Sequence, residues 1–340
     1  MVNKMNLKPI FIGLILLGIF FHTPDTYAKN QINQRQYVAC GISQDYRSLA
    51  YKQDKQWLGF DADICRALAA AFLGNPERFK LIPIKKENVG QALNSAQIDI
   101  MLGNSSLSAS EEAKFFVTPV DTLYYDRQIF ASRQTTNATS MHDYKNTKVC
   151  VLRNSNASAF LNEYNQKYAL GFKILEMPSL ITIKEAFYIN RCELVSGSEI
   201  FIKDIVSNVN ATEKAEILPE EITYIPIKAY TAGNNPSLNI AARWIINALK
   251  LASSANITSQ NIDTFSATKS KSLQNVMGIS PKTWKDLGVE PLWMKNFIPL
   301  HGNYQQILDK NIGSISKLNL DIKQNDMIEN GGFLISHPFI

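Results

Sequence analysis

The chain has 340 residues with 35 basic and 30 acidic side chains, a net charge of +5 at pH 7, and 45% hydrophobic residues. That weak charge, with no basic run and no patch of interleaved aromatics, argues against a nucleic-acid-binding protein. The apolar fraction is enough for a packed core, and the length suggests two domains.

Residues 1–28 read as a secretory leader. Lys4 and Lys8 give a basic start, Pro9 to Phe21 an apolar run, and Thr26-Tyr27-Ala28 a small-residue cleavage site. The run is too short to span a bilayer comfortably, so the expectation is an exported chain starting near Lys29, in a Gram-negative periplasm, without a membrane anchor. Removing Lys4, Lys8 and Asp25 leaves 33 basic and 29 acidic side chains. Cys40 lies too far beyond the expected cut to carry a lipid.

Tyr37 to Ile42 alternates and ends near Gly41, which predicts a strand followed by a polar loop through Lys55. The run DADICRALAAAF from Asp61 places Ile64, Leu68, Ala71 and Phe72 on one helical face, and Gly74-Asn75-Pro76 stops it. Phe79 to Ile84 is a predicted strand, Glu87 to Ala96 a short helix and Ile98 to Leu102 a strand. The resulting β-α-β-α-β order predicts a mostly parallel sheet covered by helices. Just past its last strand, four serines fall within Ser105 to Ser110, at the place where open α/β sheets bind ligands. The competing reading of each serine is a helix cap.

After an alternating segment, Gln128 to Ser132, and a polar stretch, Arg133 to Asn146, the pattern starts again. Lys148 to Leu152, Phe172 to Met177 and Cys192 to Val195 are predicted strands, with helices over Ser155 to Tyr168 and Ser179 to Asn190. Ser196-Gly197-Ser198 reads as a second polar turn, matching the first. Ile222 to Lys228 is a return strand, and Pro236 to Ala255 a strongly amphipathic helix. Trp244, Trp284 and Trp293 are expected in packing, and Asn311 to Asp326 as loop or solvated helix. Two similar units, each ending in a hydroxyl-rich turn, predict two lobes facing a shared cleft.

The cysteines Cys40, Cys65, Cys150 and Cys192 all follow the leader, and an even count in an oxidising compartment favours disulfides over three alternative pairings. Their chain positions suggest Cys40 with Cys65 and Cys150 with Cys192. No C-x-x-C or histidine pairing supports zinc, so no metal or other cofactor is expected.

The motifs VACGISQ (Val38 to Gln44), WLGFDADICRALAAAFLG (Trp57 to Gly74), NSSLSAS (Asn104 to Ser110), LYYD (Leu123 to Asp126), KVCV (Lys148 to Val151) and RCEL (Arg191 to Leu194) run in order along the chain. With GNYQQILDKNIG (Gly302 to Gly313) and NGGF (Asn330 to Phe333), they resemble family 3 solute-binding proteins of ABC transporters, and within it the general L-amino-acid binding proteins. The resemblance implies an α/β, two-lobed periplasmic binding protein of the type II fold with a ligand cleft between lobes. Lobe one would be residues 29–132 plus 228–340 and lobe two 133–227, with crossovers near Ala131 to Arg133 and Ile225 to Tyr230. It also supports the disulfide pairing above. A monomer partnered by an inner-membrane ABC permease or sensor is implied.

The chain departs from the family at both charge determinants. An arginine that holds the ligand carboxylate is replaced by Glu111 or Ala113, depending on spacing, with Lys114 adjacent as a point charge. An aspartate that accepts from the α-ammonium is replaced by Ser198, followed by Glu199. At the start of the first lobe-two helix, Asn154-Ser155-Asn156 replaces a Gly-Thr-Thr run. The candidate cleft residues are therefore Tyr46, Ser106, Ser108, Glu111, Lys114, Ser155, Asn156 and Ser198, with Tyr51 an alternative to Tyr46 as the aromatic wall. The leading expectation is a receptor closing on a small polar, amino-acid-like ligand with altered charge determinants. The alternatives are a dehydratase-like enzyme on the same scaffold, using Glu111 or Glu199 as acid or base, and a binding protein with a vestigial cleft. His142, His301 and His337 form no catalytic constellation.

Overall fold

The structure, a computed structural model, describes residues 27–43, 46, 48–103, 106–133, 140–207 and 215–340. The expected leader lies outside these apart from its last two residues, as do Gln44, Asn104, Ser105 and residues 134–139 of the polar stretch.

The strands are β1 (Val38–Ser43), β2 (Tyr51–Gln53), β3 (Gln56–Leu58), β4 (Phe79–Ile84), β5 (Ile100–Met101), β6 (Val117–Arg133), β7 (Lys148–Leu152), β8 (Lys173–Met177), β9 (Leu194–Ser198) and β10 (Ala215–Ala232). Eight of them form one sheet in the order β4-β1-β5-β10-β6-β9-β7-β8. Its two wings repeat one plan: β1 lies parallel to β4 and β5, and β7 lies parallel to β8 and β9. Between them β6 and β10 run antiparallel, from Ala215 opposite Arg133 to Ala232 opposite Val117. Each wing therefore hangs from the same two long strands.

Two expectations are corrected here. Ser196-Gly197-Ser198 is not a turn: it is the end of β9, with Ser198 opposite Gln128 and Gly197 opposite Ile129 of β6. The long strand β6 supplies a paired edge that local composition cannot reveal. The loop after β1 contains the β2–β3 hairpin, whose Asp54-Lys55 turn has φ of 49° and 69°, the left-handed pair that matches strand twist.

The helices are α1 (Tyr27–Arg35), α2 (Phe60–Leu73), α3 (Val89–Asn94), α4 (Ala109–Phe115), α5 (Asn156–Lys167), α6 (Leu180–Tyr188), α7 (Glu199–Ser207), α8 (Pro236–Ser254), α9 (Lys271–Val276), α10 (Lys282–Asp286), α11 (Trp293–His301) and α12 (Tyr304–Asn311). The sequence pattern gives α2 one apolar face, yet it is buried on all sides, from Phe60 to Phe72. Helices α8, α11 and α12 pack around it and cover its polar side too. The buried charges there are matched: Asp63 pairs with Arg66 at 3.0 Å and Lys310 at 2.9 Å, and accepts from Asn311 at 2.7 Å. Such pairing is what makes burial of charge tolerable. Trp284 and Trp293 are fully buried in this same core, edge to face at 5.9 Å.

Cys40 of β1 is bonded to Cys65 of α2, and Cys150 of β7 to Cys192, which precedes β9. Each bridge thus fastens one wing. The second closes a stretch of 42 residues, for which loop entropy gives roughly 3–4 kcal/mol of stabilisation. Cys150→Ala with Cys192→Ala should lower the unfolding free energy by about that amount. Urea titration of the oxidised protein and the double variant checks this.

Candidate functional site

The strands of each wing end towards the other wing, and a cavity of about 150 Å³ lies where they meet. Ser43 and Gly103 come from the ends of β1 and β5, Ser155 and Asn156 from the start of α5, and Ser198 from the end of β9. The long strands supply Asp126, Ile225 and Ile227. Ile84, Met101, Leu107 and Leu152 make the rest of the wall largely apolar.

Backbone packs closely here. Gly103 has φ of +78°, and a Cβ at that position would lie 2.2 Å from the Ser43 nitrogen, so only glycine fits. The Gly103 N–H donates to Asp61 at the start of α2. Burial nevertheless pushes the Asp61 carboxyl up to about 7. Across the cleft, Asn156 Nδ2 donates to the Ser106 carbonyl at 3.0 Å. Tyr46 packs against the apolar cores of both wings.

Of the residues expected from the sequence, Tyr46, Ser106, Ser155, Asn156 and Ser198 are brought together around the cavity. Ser155 also caps α5, accepting from the Ser158 N–H and donating to the Leu152 carbonyl at 2.6 Å. Ser108, Glu111 and Lys114 do not line the cavity. Ser108 and Glu111 form the capping box of α4: the serine hydroxyl accepts from the Glu111 N–H, and the Glu111 carboxylate accepts from the Ser108 N–H at 2.9 Å. Lys114 is exposed on that helix. Glu111 further pairs with Lys86 at 2.7 Å. Against a desolvation that raises it, this cation and the Ser108 N–H hold the Glu111 carboxyl below its ordinary range. Glu199 is likewise engaged, accepting from Arg127 Nε at 2.7 Å.

Sequence reasoning missed Lys86 and, above all, Asp126. Alternation along β6 turns Asp126 into the cleft and Arg127 out of it, where Arg127 binds Glu199 and Glu221. Asp126 is only 4% exposed. Desolvation pushes its carboxyl up to about 7; the neighbouring Ser198 hydroxyl and the N–H groups of Arg127 and Glu199 pull against this, and the Glu199 charge adds to it. The available signal was an acid within the apolar alternation of Leu123 to Phe130.

A cleft walled by the strand ends of two α/β wings defines a ligand-binding protein. The model of the bacterial extracellular solute-binding proteins, family 3, matches residues 38–313, and the chain belongs to that family. It is thus a solute-binding protein of the amino-acid ABC transporter type, from a family of periplasmic binding proteins. AapJ of Rhizobium johnstonii, a general L-amino acid-binding periplasmic protein, is 24% identical over 98% of this chain and 99% of its own. YhdW of Escherichia coli, a putative amino-acid ABC transporter-binding protein, is 23% identical over 99% of each chain. In structure, the chain is similar to an ABC transporter periplasmic binding protein from Brucella ovis with glutathione bound. That protein is 23% identical, with a TM-score of 0.84 over 91% of this chain and 98% of the other. Solved structures that this chain resembles are two-lobed periplasmic binding proteins, which fixes the fold class. Among the described residues, no helix is long and apolar enough to cross a membrane.

The carboxyls of Asp61 and Asp126, each raised from 3.8 to about 7, contribute to the pH dependence of stability. Their folded forms bind protons more tightly than the unfolded chain, so their stabilising effect is complete below pH 4 and is lost as pH rises through 7. Asp126→Asn keeps an acceptor for the Arg127 N–H while removing one of these groups. It should flatten the fall in thermal midpoint between pH 5 and 8 and raise the midpoint at pH 8 by several degrees. Thermal unfolding across that range, without added ligand, checks both.

Proposed function

We propose that the protein is an exported receptor for a small polar, amino-acid-like solute, which closes two lobes on that solute for delivery to an ABC permease. Lobe one would comprise residues 29–132 and 228–340 and lobe two residues 133–227, joined through β6 and β10. The single observation that carries this reading is the cavity lined from both wings and bridged by the Asn156–Ser106 hydrogen bond. A solute touching both sides is what shifts an open–closed equilibrium, because only then does its affinity differ between the two forms.

The ligand contacts would come from Tyr46, Ser106, Ser155, Asn156 and Ser198, with Lys86 and Asp126 as the charged groups. The relatives bear on ligand class: AapJ binds L-amino acids, and the Brucella ovis protein has glutathione bound. The dehydratase-like alternative required Glu111 or Glu199 as a free acid or base, and each is ion-paired, with neither carboxylate lining the cavity. We therefore favour a binding protein over an enzyme on this scaffold.

Thermal unfolding of the oxidised protein with amino acids, di-acids, amines and short peptides tests the proposal. A solute at a thousand times its Kd should add about 4 kcal/mol of stability, a shift of several degrees. The same solute should compact the protein in small-angle scattering. Binding without compaction would remove lobe closure, and a panel that shifts nothing would remove the receptor reading.

A further inference from the structure

The receptor reading leaves open what the cleft recognises, and the inference here rests on that reading. Among the described residues, two charged side chains line the cavity, Lys86 and Asp126. They are not equivalent. Lys86 is 40% exposed and already matched by Glu111. Asp126 is buried, and among the described residues no cationic side chain pairs with it; its neighbours are the Ser198 hydroxyl and the N–H groups of Arg127 and Glu199. The nearest guanidinium in sequence, Arg127, is turned away and held by two carboxylates.

We propose that Asp126 is the specificity-determining residue of the cleft, accepting hydrogen bonds from a ligand ammonium group, so that the ligands are primary ammonium compounds, including amino acids and short peptides. A buried carboxylate with no cation beside it destabilises a folded protein, and a charge-assisted hydrogen bond to an ammonium group removes that cost. The raised proton affinity of Asp126 fits a site whose cation arrives with the ligand. Position supports the same reading. Asp126 stands opposite Ile225 in the β6–β10 ladder, and Ile225 lines the same cavity. A group held there rests on the strands that join the wings, in the cavity that Ser106 and Asn156 also line. Ser198, where the family pattern has an acid, lies next to Asp126, so a carboxylate is still present beside that position.

Calorimetric titration with matched compounds tests this. The first set is leucine, isoamylamine and 4-methylpentanoate; the second is glutamate, 4-aminobutyrate and glutarate; the third is glutathione and N-acetylglutathione. In at least one set the ammonium compounds should bind, and the partner lacking the charge at least tenfold more weakly. Asp126→Asn should weaken the ammonium compounds at least tenfold. If that variant fails to fold, the matched comparison on the natural protein decides alone. Equal binding by a deaminated or acetylated partner overturns the proposal, as does undiminished binding to a folded Asp126→Asn protein. If only solutes without an ammonium group bind and compact the protein, this inference fails while the receptor reading stands. If no compound of any class binds, both fail.

Discussion

Because β6 and β10 pair antiparallel along almost their whole length, both wings of the sheet are tied to a single two-stranded ladder. Every strand end that reaches the cavity is placed relative to that ladder: β5 through Tyr230 opposite Met101, and β9 through Gln128 opposite Ser198. A buried lysine helps fix it. Lys250 of α8 binds the Asp121 carboxylate at 2.9 Å and the Thr122 carbonyl at 2.7 Å, although burial alone lowers its hold on a proton. The cost of that desolvation is met by two strong acceptors, which lock α8 against β6.

The cavity follows from the same geometry. Strands in an open α/β arrangement leave their ends, and the helix starts that follow them, facing outward at a common edge. Two such edges brought together enclose hydroxyls, helix N-termini and close-packed backbone, as at Gly103. The apolar walls make any charge inside expensive, so one carboxylate there decides more than several exposed ones would. Glu111 and Lys86, nearer the rim, satisfy each other.

Much of the fold could be read from the sequence because each wing is built from local, strongly patterned elements. β4 and β7 fall where alternation and flanking polar residues placed them, and α2 follows its Ile64, Leu68, Ala71 and Phe72 stripe. The full extent of β6 was not legible, since Pro119, Asp121 and Thr122 interrupt the alternation, and its partners lie far away in sequence. Within the candidate site, Ser106, Ser155, Asn156 and Ser198 could be found because strand ends and helix starts have local signatures. Asp126 could not, because its burial depends on a strand pairing nearly a hundred residues distant. Glu111 is a different case: Ser108-x-x-Glu111 carries the capping-box pattern in plain view, and its carboxylate is engaged by the Ser108 N–H and Lys86.

The burial of α2 on all sides has a consequence for how the chain matures. The wing with β7, β8 and β9 is built from one continuous stretch and can gather its core as soon as it emerges. The other cannot, since α2 is enclosed by α8, α11 and α12, which come more than 160 residues later in the chain. Until that tail arrives, the part of α2 that β1 and β4 do not cover faces solvent or a chaperone. The last third of the chain thus completes the burial of a helix that belongs to the first third, and synthesis from the N-terminus produces that helix well before the helices that cover it.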